Sequence, residues 1–343
     1  MNRKMTTVAA LAATACIALT ACGSGAHSAD DQSTNAQSDA QMQSGGNHDM
    51  SGPITVETNS GEVTVNRPVQ RIAALDNRTF EVLEKWGISL VAAPKRLVPS
   101  TVTAFSGDDV ADIGTHREPN LEALVAAKPD VIISGQRFSQ HDEDIAALTQ
   151  GVPLIDLEPR DDQPFDKELI RQVTTLGKIF GKETEAQSLV DDFTAALDRA
   201  KKAYDGTSTV MALNVSGGEI GYVAPHQGRT FGPLFDLLGL KPALEVAGSS
   251  DSHTGDDVSV EAIAEANPQW IFVLDRDAAI TSQQDSYTPA QSVISENAAL
   301  ANVKAITDKH VLYAPKDTYT NESIITYTEI LNSIADAFAR ANS

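Results

Sequence analysis

From Pro53 onward, short runs rich in β-branched residues alternate with runs whose apolar positions recur at helical spacing, the pattern of a sheet flanked by helices rather than of a sandwich. Laid against itself, the chain is duplicated. Pro119-Asn-Leu-Glu-Ala-Leu-Val-Ala-Ala-Lys-Pro129-Asp-Val-Ile-Ile133 pairs with Val258-Ser-Val-Glu-Ala-Ile-Ala-Glu-Ala-Asn-Pro268-Gln-Trp-Ile-Phe272, each a short helix, a proline stop and an apolar strand. Asn120 and Ser259 stand at matching N-cap positions. The offset is 139 at Glu122/Glu261, Pro129/Pro268 and Arg137/Arg276, so the register continues past the strand into the following loop. A second correspondence, Arg78-Thr-Phe80 with Arg229-Thr-Phe231, precedes helical runs that end at Trp86-Gly87 and Leu238-Gly239. Its offset of 151 calls for an insertion, assigned to the turn region Gly217-Gly218-Glu219-Ile220-Gly221.

Between the copies lies a helical tract with no equivalent in either. Leu169, Ile170, Val173, Leu176, Ile179 and Phe180 share a face up to Gly181, and Thr184 with Gln187 reads as a capping box for a second helix that runs to Asp205-Gly206. The expected fold is therefore α/β, with two similar lobes, 53–182 and 206–343, and a ligand cleft between them. A stiff helix at 183–205 joins the lobes, so they should hinge only slightly.

The 343 residues, 41% of them hydrophobic, suffice for buried cores and about two domains. At the start of the chain, Arg3 and Lys4 precede an uncharged run from Met5 to Ala21, the basic-then-apolar order of a secretion signal, predicted over 1–21. The two cysteines lie at 16 and 22, which leaves the body without a disulfide, a thiolate metal site or a thiol nucleophile. Leu19-Thr-Ala-Cys22-Gly23 resembles the bacterial lipobox, in which cleavage leaves Cys22 as a lipid-bearing N-terminus on the outer face of the cytoplasmic membrane. Residues 22–52 are poor in large apolar side chains and read as a flexible stalk, with His27 and His48 as bystanders. The net charge of −21, or −23 once Arg3 and Lys4 are removed with the leader, argues against nucleic acid and against anionic membrane surfaces as partners. Membrane contact is expected through the lipid anchor only.

In parallel α/β sheets ligands sit beyond the carboxyl ends of the strands, and Arg137 and Arg276 each follow the strand of their repeat unit, so they should face each other across the cleft. Arg229 lies in the Gln227-Gly228-Arg229 loop ahead of a helix, where cations and backbone donors converge on an anion. Three arginines in one crevice of an acidic protein point to an anionic ligand, since a guanidinium stays charged, donates in a planar fork and stacks on aromatic rings. The chain has no phosphate-binding glycine loop, Gly-x-Ser-x-Gly elbow or His-Glu-x-x-His run, and it is read as a binding protein rather than an enzyme.

Ala93-Pro94-Lys95 with Val98-Pro99, Asp112-Ile113-Gly114 with Glu118-Pro119, Lys128-Pro129-Asp130-Val131-Ile132-Ile133-Ser134-Gly135, Phe272-Val273-Leu274-Asp275-Arg276 and the segment around His253 carry a family resemblance. From about Arg71 to Phe338 the chain resembles substrate-binding lipoproteins of bacterial ABC importers, of the helix-connected class III that binds ferric siderophores, haem or cobalamin. Among these it is most like the catecholate-siderophore binders. The resemblance implies that Arg137, Arg229 and Arg276 form the basic triad for a trianionic ferric tris-catecholate; Lys95 and Arg78 are read beside it as supporting cations, with solvated surface charge as the alternative. It places His253 and Tyr319 where family members carry a histidine and a tyrosine able to complete an iron coordination sphere. Glu122 and Glu261, in the first turns of matching helices, would meet arginines on the two permease subunits, beyond their local effect on the helix dipole. The implied function is capture of a ferric siderophore by a monomer without intrinsic cofactor, and delivery to an ABC permease dimer with its ATPase. A haem or cobalamin receptor on the same fold is the alternative, followed by a secreted enzyme or an adhesive surface domain.

Overall fold

The structure, a computed structural model, describes residues 52–342. The expected leader, Cys22 and the stalk histidines His27 and His48 lie outside the described residues. An antiparallel hairpin of β1 (Ile54–Thr58) and β2 (Gly61–Val65) comes first. Then follow β3 (Ile72–Ala74), β4 (Leu90–Ala93), β5 (Ala111–Asp112), a small hairpin of β6 (Gly114–Thr115) and β7 (Glu118–Pro119), β8 (Val131–Ser134) and β9 (Leu154–Asp156). Strands β5-β4-β3-β8-β9 make a parallel sheet in that order, connected through α1 (Phe80–Lys85), α2 (Leu121–Ala126) and α3 (Asp142–Leu148). After α4 (Phe165–Phe180) and α5 (Glu183–Ala203) the second sheet is built from β10 (Thr209–Ser216), β11 (Glu219–Val223), β12 (Lys241–Pro242), β13 (Trp270–Asp275) and β14 (Val311–Tyr313). Its order is β11-β10-β13-β14, with β12 also on β10. The remaining helices are α6 (Gly232–Leu238), α7 (Val260–Ala266), α8 (Arg276–Ile280), α9 (Ala290–Ser295), α10 (Lys304–Thr307) and α11 (Ile324–Ala341). The result is two α/β lobes joined through a long helix, as expected.

The duplication reappears bond for bond. Asp130 N–H donates to Arg71 O at 2.8 Å and Gln269 N–H to Thr209 O at 3.0 Å; Ile132 N–H donates to Pro153 O at 2.9 Å and Ile271 N–H to His310 O at 3.0 Å. Asn120 and Ser259 cap α2 and α7 by accepting from Ala123 N–H at 3.0 Å and Ala262 N–H at 3.2 Å. The insertion is the β10–β11 hairpin. Gly217 and Gly218 turn it with φ of 62° and 79°, and β11 is antiparallel in an otherwise parallel sheet.

Period-two alternation sorts each strand between two cores. Ile72, Ala74, Val131 and Ile133 of the first sheet, and Val210, Ala212, Phe272 and Leu274 of the second, belong to one large cluster shared with α4, α5 and α11. Ala73 and Ile132 face the outer helices of the first lobe, and Met211, Leu213, Ile271 and Val273 those of the second. Helix α5 packs along α11, where Arg199 donates to Asn332 Oδ1 and Asp336 Oδ1 at 2.5 Å each.

The expected capping box at Thr184 and Gln187 is not formed. Gly181 turns α4 off in the left-handed region (φ 63°), the next helix starts at Glu183 behind Lys182, and Gln187 instead donates to Asp191 at 2.8 Å. Two helices meeting through a single two-residue corner leave no loop in which a separate box could sit. No described helix is long and apolar enough to cross a membrane.

Candidate functional site

The cleft is organised around Tyr319, on the 3-10 turn Thr318–Thr320 that leads into α11. Its segment, in the second lobe, is held by residues of the first. Asn77 donates to Thr320 O at 2.9 Å, Thr101 Oγ1 to Asp317 at 2.5 Å, and Ser323, the N-cap of α11, donates to Glu81 at 2.6 Å. Arg137, on the 3-10 turn after β8, brings Nη2 to 3.3 Å from Tyr319 Oη. The guanidinium carbons of Arg229 and Arg276 lie 4.2 and 4.8 Å from the centre of the tyrosine ring. All three arginines anticipated from strand ends and loop position thus converge on one phenol. Burial pushes the Tyr319 pKa up, but Arg229, Arg276 and Arg137 outweigh it and hold the phenol below its usual value.

The three are not electrostatically equal. Arg229 donates to both oxygens of Glu322, at 3.3 and 2.8 Å, and also to the Tyr319 carbonyl at 2.9 Å. Glu322 is 2% exposed, accepts from Thr230 Oγ1 at 2.7 Å and has Arg78 at 3.8 Å. Burial alone would raise its pKa, yet Arg229 and Arg78 keep it below the ordinary glutamate value, so it is a carboxylate. Arg276 donates to Ser216 Oγ at 3.1 Å and to its neighbour Asp277 at 3.4 Å. Arg137 makes no ion pair with a carboxylate among the described residues. Glu322 offsets Arg229 and Asp277 offsets Arg276, while the adjoining cavity wall also carries Glu158, Asp161, Asp236 and Asp251, so the positive charge is confined to the arginine cluster around Tyr319.

His253 sits on the loop before α7, and this loop can lie on β11 because Gly221 has no side chain. A Cβ there would fall 2.1 Å from Thr254 O. Tyr222 and Asp256 exchange backbone bonds at 2.9 and 2.8 Å, and Asn214 Nδ2 donates to His253 O at 2.9 Å. Arg229 Nη1 lies 3.2 Å from His253 Nδ1. Arginine can only donate, so Nδ1 accepts and the ring proton is on Nε2. Loss of water and the guanidiniums of Arg137, Arg229 and Arg276, opposed by Asp251, push the His253 pKa down to about 4.

A cavity of about 1230 Å³ opens beside this cluster, with Arg78, Arg137, Arg229, His253, Glu322 and Glu158 in its wall. Arg78 Nε and Nη1 are buried without a hydrogen-bond partner among the described residues. Behind them Asp76, fully buried, accepts from Gln172 Nε2 at 2.9 Å and from Arg78 N–H at 3.0 Å; burial, resisted by Arg78, raises its pKa to about 6. Arg276 and Tyr319 are not in the wall of this cavity. Lys95, expected as a supporting cation, does not line this cavity; its ammonium donates to Gly107 O at 2.6 Å on the loop after β4. Glu122 and Glu261 are exposed in the first turns of α2 and α7.

Residues 72–318 match the profile of the periplasmic binding protein family. The chain belongs to that family. Among its relatives, the ferric-anguibactin-binding protein FatB of Vibrio anguillarum is 28% identical over 288 residues, spanning 80% of this chain and 85% of FatB. The petrobactin-binding protein YclQ of Bacillus subtilis is 24% identical over 276 residues, spanning 79% and 83% of the two chains, and its crystal structure superimposes with a TM-score of 0.71 over 83% of this chain and 98% of YclQ. The catecholate-siderophore-binding protein VctP of Vibrio cholerae shares the fold with a TM-score of 0.72, at 22% identity over 82% of this chain and 99% of VctP. The family and the class III architecture are those expected from the sequence.

Sequence reasoning missed Glu322, the carboxylate that pairs with Arg229. It missed His116 as well, which lies 3.4 Å from Arg137. Neither falls in the repeat blocks. The one signal pointing to Glu322 is its place three residues after Tyr319, just before the Ser323 cap.

Proposed function

We propose that this extracytoplasmic binding protein captures an anionic ferric siderophore, of catecholate type, and presents it to an ABC permease for iron uptake. The observation that carries the reading is the convergence of Arg137, Arg229 and Arg276 on the Tyr319 phenol, an aromatic oxygen donor of the same chemistry as a catecholate ring. Arg78 adds charge from the cavity wall. The names of FatB and YclQ, both ferric-siderophore or siderophore binders, support it. Tyr319, with its lowered pKa, is suited to bind iron as a phenolate. His253 offers its Nε2–H to a ligand oxygen, and it can give iron an Nε2 lone pair only after Nδ1 takes a proton and releases Arg229. The division into lobes at 53–182 and 206–343 with 183–205 between them, the lipid anchor at Cys22, a monomeric state, docking through Glu122 and Glu261, and the absence of catalysis belong to the same reading.

Quenching of the tryptophan emission of Trp86 and Trp270 by added ligand tests it. The proposal expects saturable quenching by a ferric catecholate chelate and none by haem or cobalamin. Tight haem or cobalamin binding with no response to ferric catecholates would replace it with the alternative receptor.

A further inference from the structure

In each lobe one cleft arginine meets an imidazole. On the second lobe Arg229 Nη1 meets His253 Nδ1 at 3.2 Å; on the first, Arg137 Nη1 meets His116 Nε2 at 3.4 Å. His116 lies in the turn of the β6–β7 hairpin, between Thr115 and Glu118. Its carbonyl accepts from His141 Nε2 at 2.8 Å and Gln140 Nε2 at 3.1 Å, both on the 3-10 turn Gln136–His141 that also carries Arg137. The hairpin and the arginine turn are therefore tied together by backbone and side chain at once. Since arginine has no acceptor, the contact requires a lone pair on Nε2, hence a neutral ring with its proton on Nδ1. Nδ1 is buried without a partner among the described residues, so nothing at that nitrogen favours this tautomer and Arg137 alone selects it. Burial, Arg137, Arg117 and His141 all lower the His116 pKa, which keeps the ring neutral.

We propose that His116 is a positioning residue of the ligand site, whose Nε2 lone pair holds Arg137 Nη1 and thereby aims Nη2 at Tyr319 and the ligand. The proposal rests on the reading of Arg137 as a ligand contact. An arginine without an ion pair has many rotamers to lose, and an acceptor that fixes it in advance lowers the ordering cost of binding. The device would be specific to an acceptor at the reach of Nε2, which the side-chain oxygen of glutamine matches and that of asparagine does not.

Long-range proton–nitrogen NMR correlations report the tautomer directly. In the wild-type protein at neutral pH His116 should carry its proton on Nδ1, and Arg137→Leu should shift it toward Nε2. Affinity for the iron(III) complex of 2,3-dihydroxybenzoate, read by fluorescence quenching, should fall about tenfold in His116→Leu and His116→Asn, the worth of orienting one charged hydrogen bond, and recover in His116→Gln. Comparing the two amides, which alter folding alike, separates aiming from packing. An Nε2–H tautomer in the wild type, or equal affinities for the Gln and Asn variants, overturns the assignment. Failure of the wild type to bind any ferric chelate would count against the proposed function, and the tautomer would still decide the role of His116.

Discussion

Replacing Glu322 by glutamine should move stability and affinity in opposite directions. The carboxylate is 2% exposed, grips Arg229 at 2.8 and 3.3 Å, accepts from Thr230 and faces Arg78 at 3.8 Å. Glutamine keeps the Thr230 bond but leaves two half-buried guanidiniums facing each other, one of them already short of partners. Removing one member of a buried pair costs about 3–5 kcal/mol. For a chain of this size that lowers the melting temperature by about 5–8 °C. The sign with pH follows from the depressed pKa of Glu322. Its contribution is complete above the unfolded glutamate pKa and fades as pH falls toward the lower folded value, so wild type and E322Q should converge in acid. Binding should respond the other way, because Arg229 keeps the Tyr319 carbonyl while the site loses a negative charge. A unit charge roughly 8 Å from a ligand at an effective dielectric of 20 is worth about 2 kcal/mol, or about tenfold in affinity once screened. Calorimetry for unfolding and fluorescence titration with a ferric catecholate measure both. A variant as stable as wild type that binds equally or more weakly would refute the electrostatic account of the site.

Three further outcomes follow from the same geometry. Arg137→Ala should lower affinity for a ferric catecholate at least tenfold while shifting the melting temperature by no more than about 2 °C, because Arg137 leaves no carboxylate unpaired; a large stability loss would mean that it is structural. The His253 ring should titrate near pH 4 by NMR and stay neutral through the range where free imidazole charges, so a midpoint above 6 would contradict its placement among Arg137, Arg229 and Arg276. Because this histidine is lowered on folding, its contribution is present above about pH 6.5 and lost as pH falls toward 4. Glu122→Gln with Glu261→Gln should leave ligand affinity unchanged and reduce iron uptake through the permease by tenfold or more, whereas normal uptake would locate docking elsewhere.

Much of the fold was legible because duplication fixes register. An offset of 139 cannot hold at a cap, a proline and an arginine unless both copies share strand and helix boundaries, and the Asn120 and Ser259 caps appear where the repeat put them. The neighbourhood of Arg137 and Arg276 was legible for the same reason, since each follows the repeated strand, whereas Arg229 was read from its loop ahead of a helix. The capping box failed because a pattern of residue types does not say where the preceding helix stops. Gly181 stops it so close to Glu183 that Thr184 falls inside the next helix. The direction of Lys95 was not legible, because a long flexible side chain follows the nearest carbonyls, here those of the 106–107 loop. Glu322 was invisible in a chain with 47 acidic residues, where only burial separates one carboxylate from the rest.

Iron-edge anomalous diffraction from crystals grown with a ferric catecholate chelate would test the central claim most directly. The account predicts one iron peak in the cleft, in the shell formed by Arg137, Arg229, Arg276 and Tyr319, with catecholate oxygens on the guanidiniums. An iron peak elsewhere on the molecule, with the three arginines still closed on the tyrosine, would contradict it.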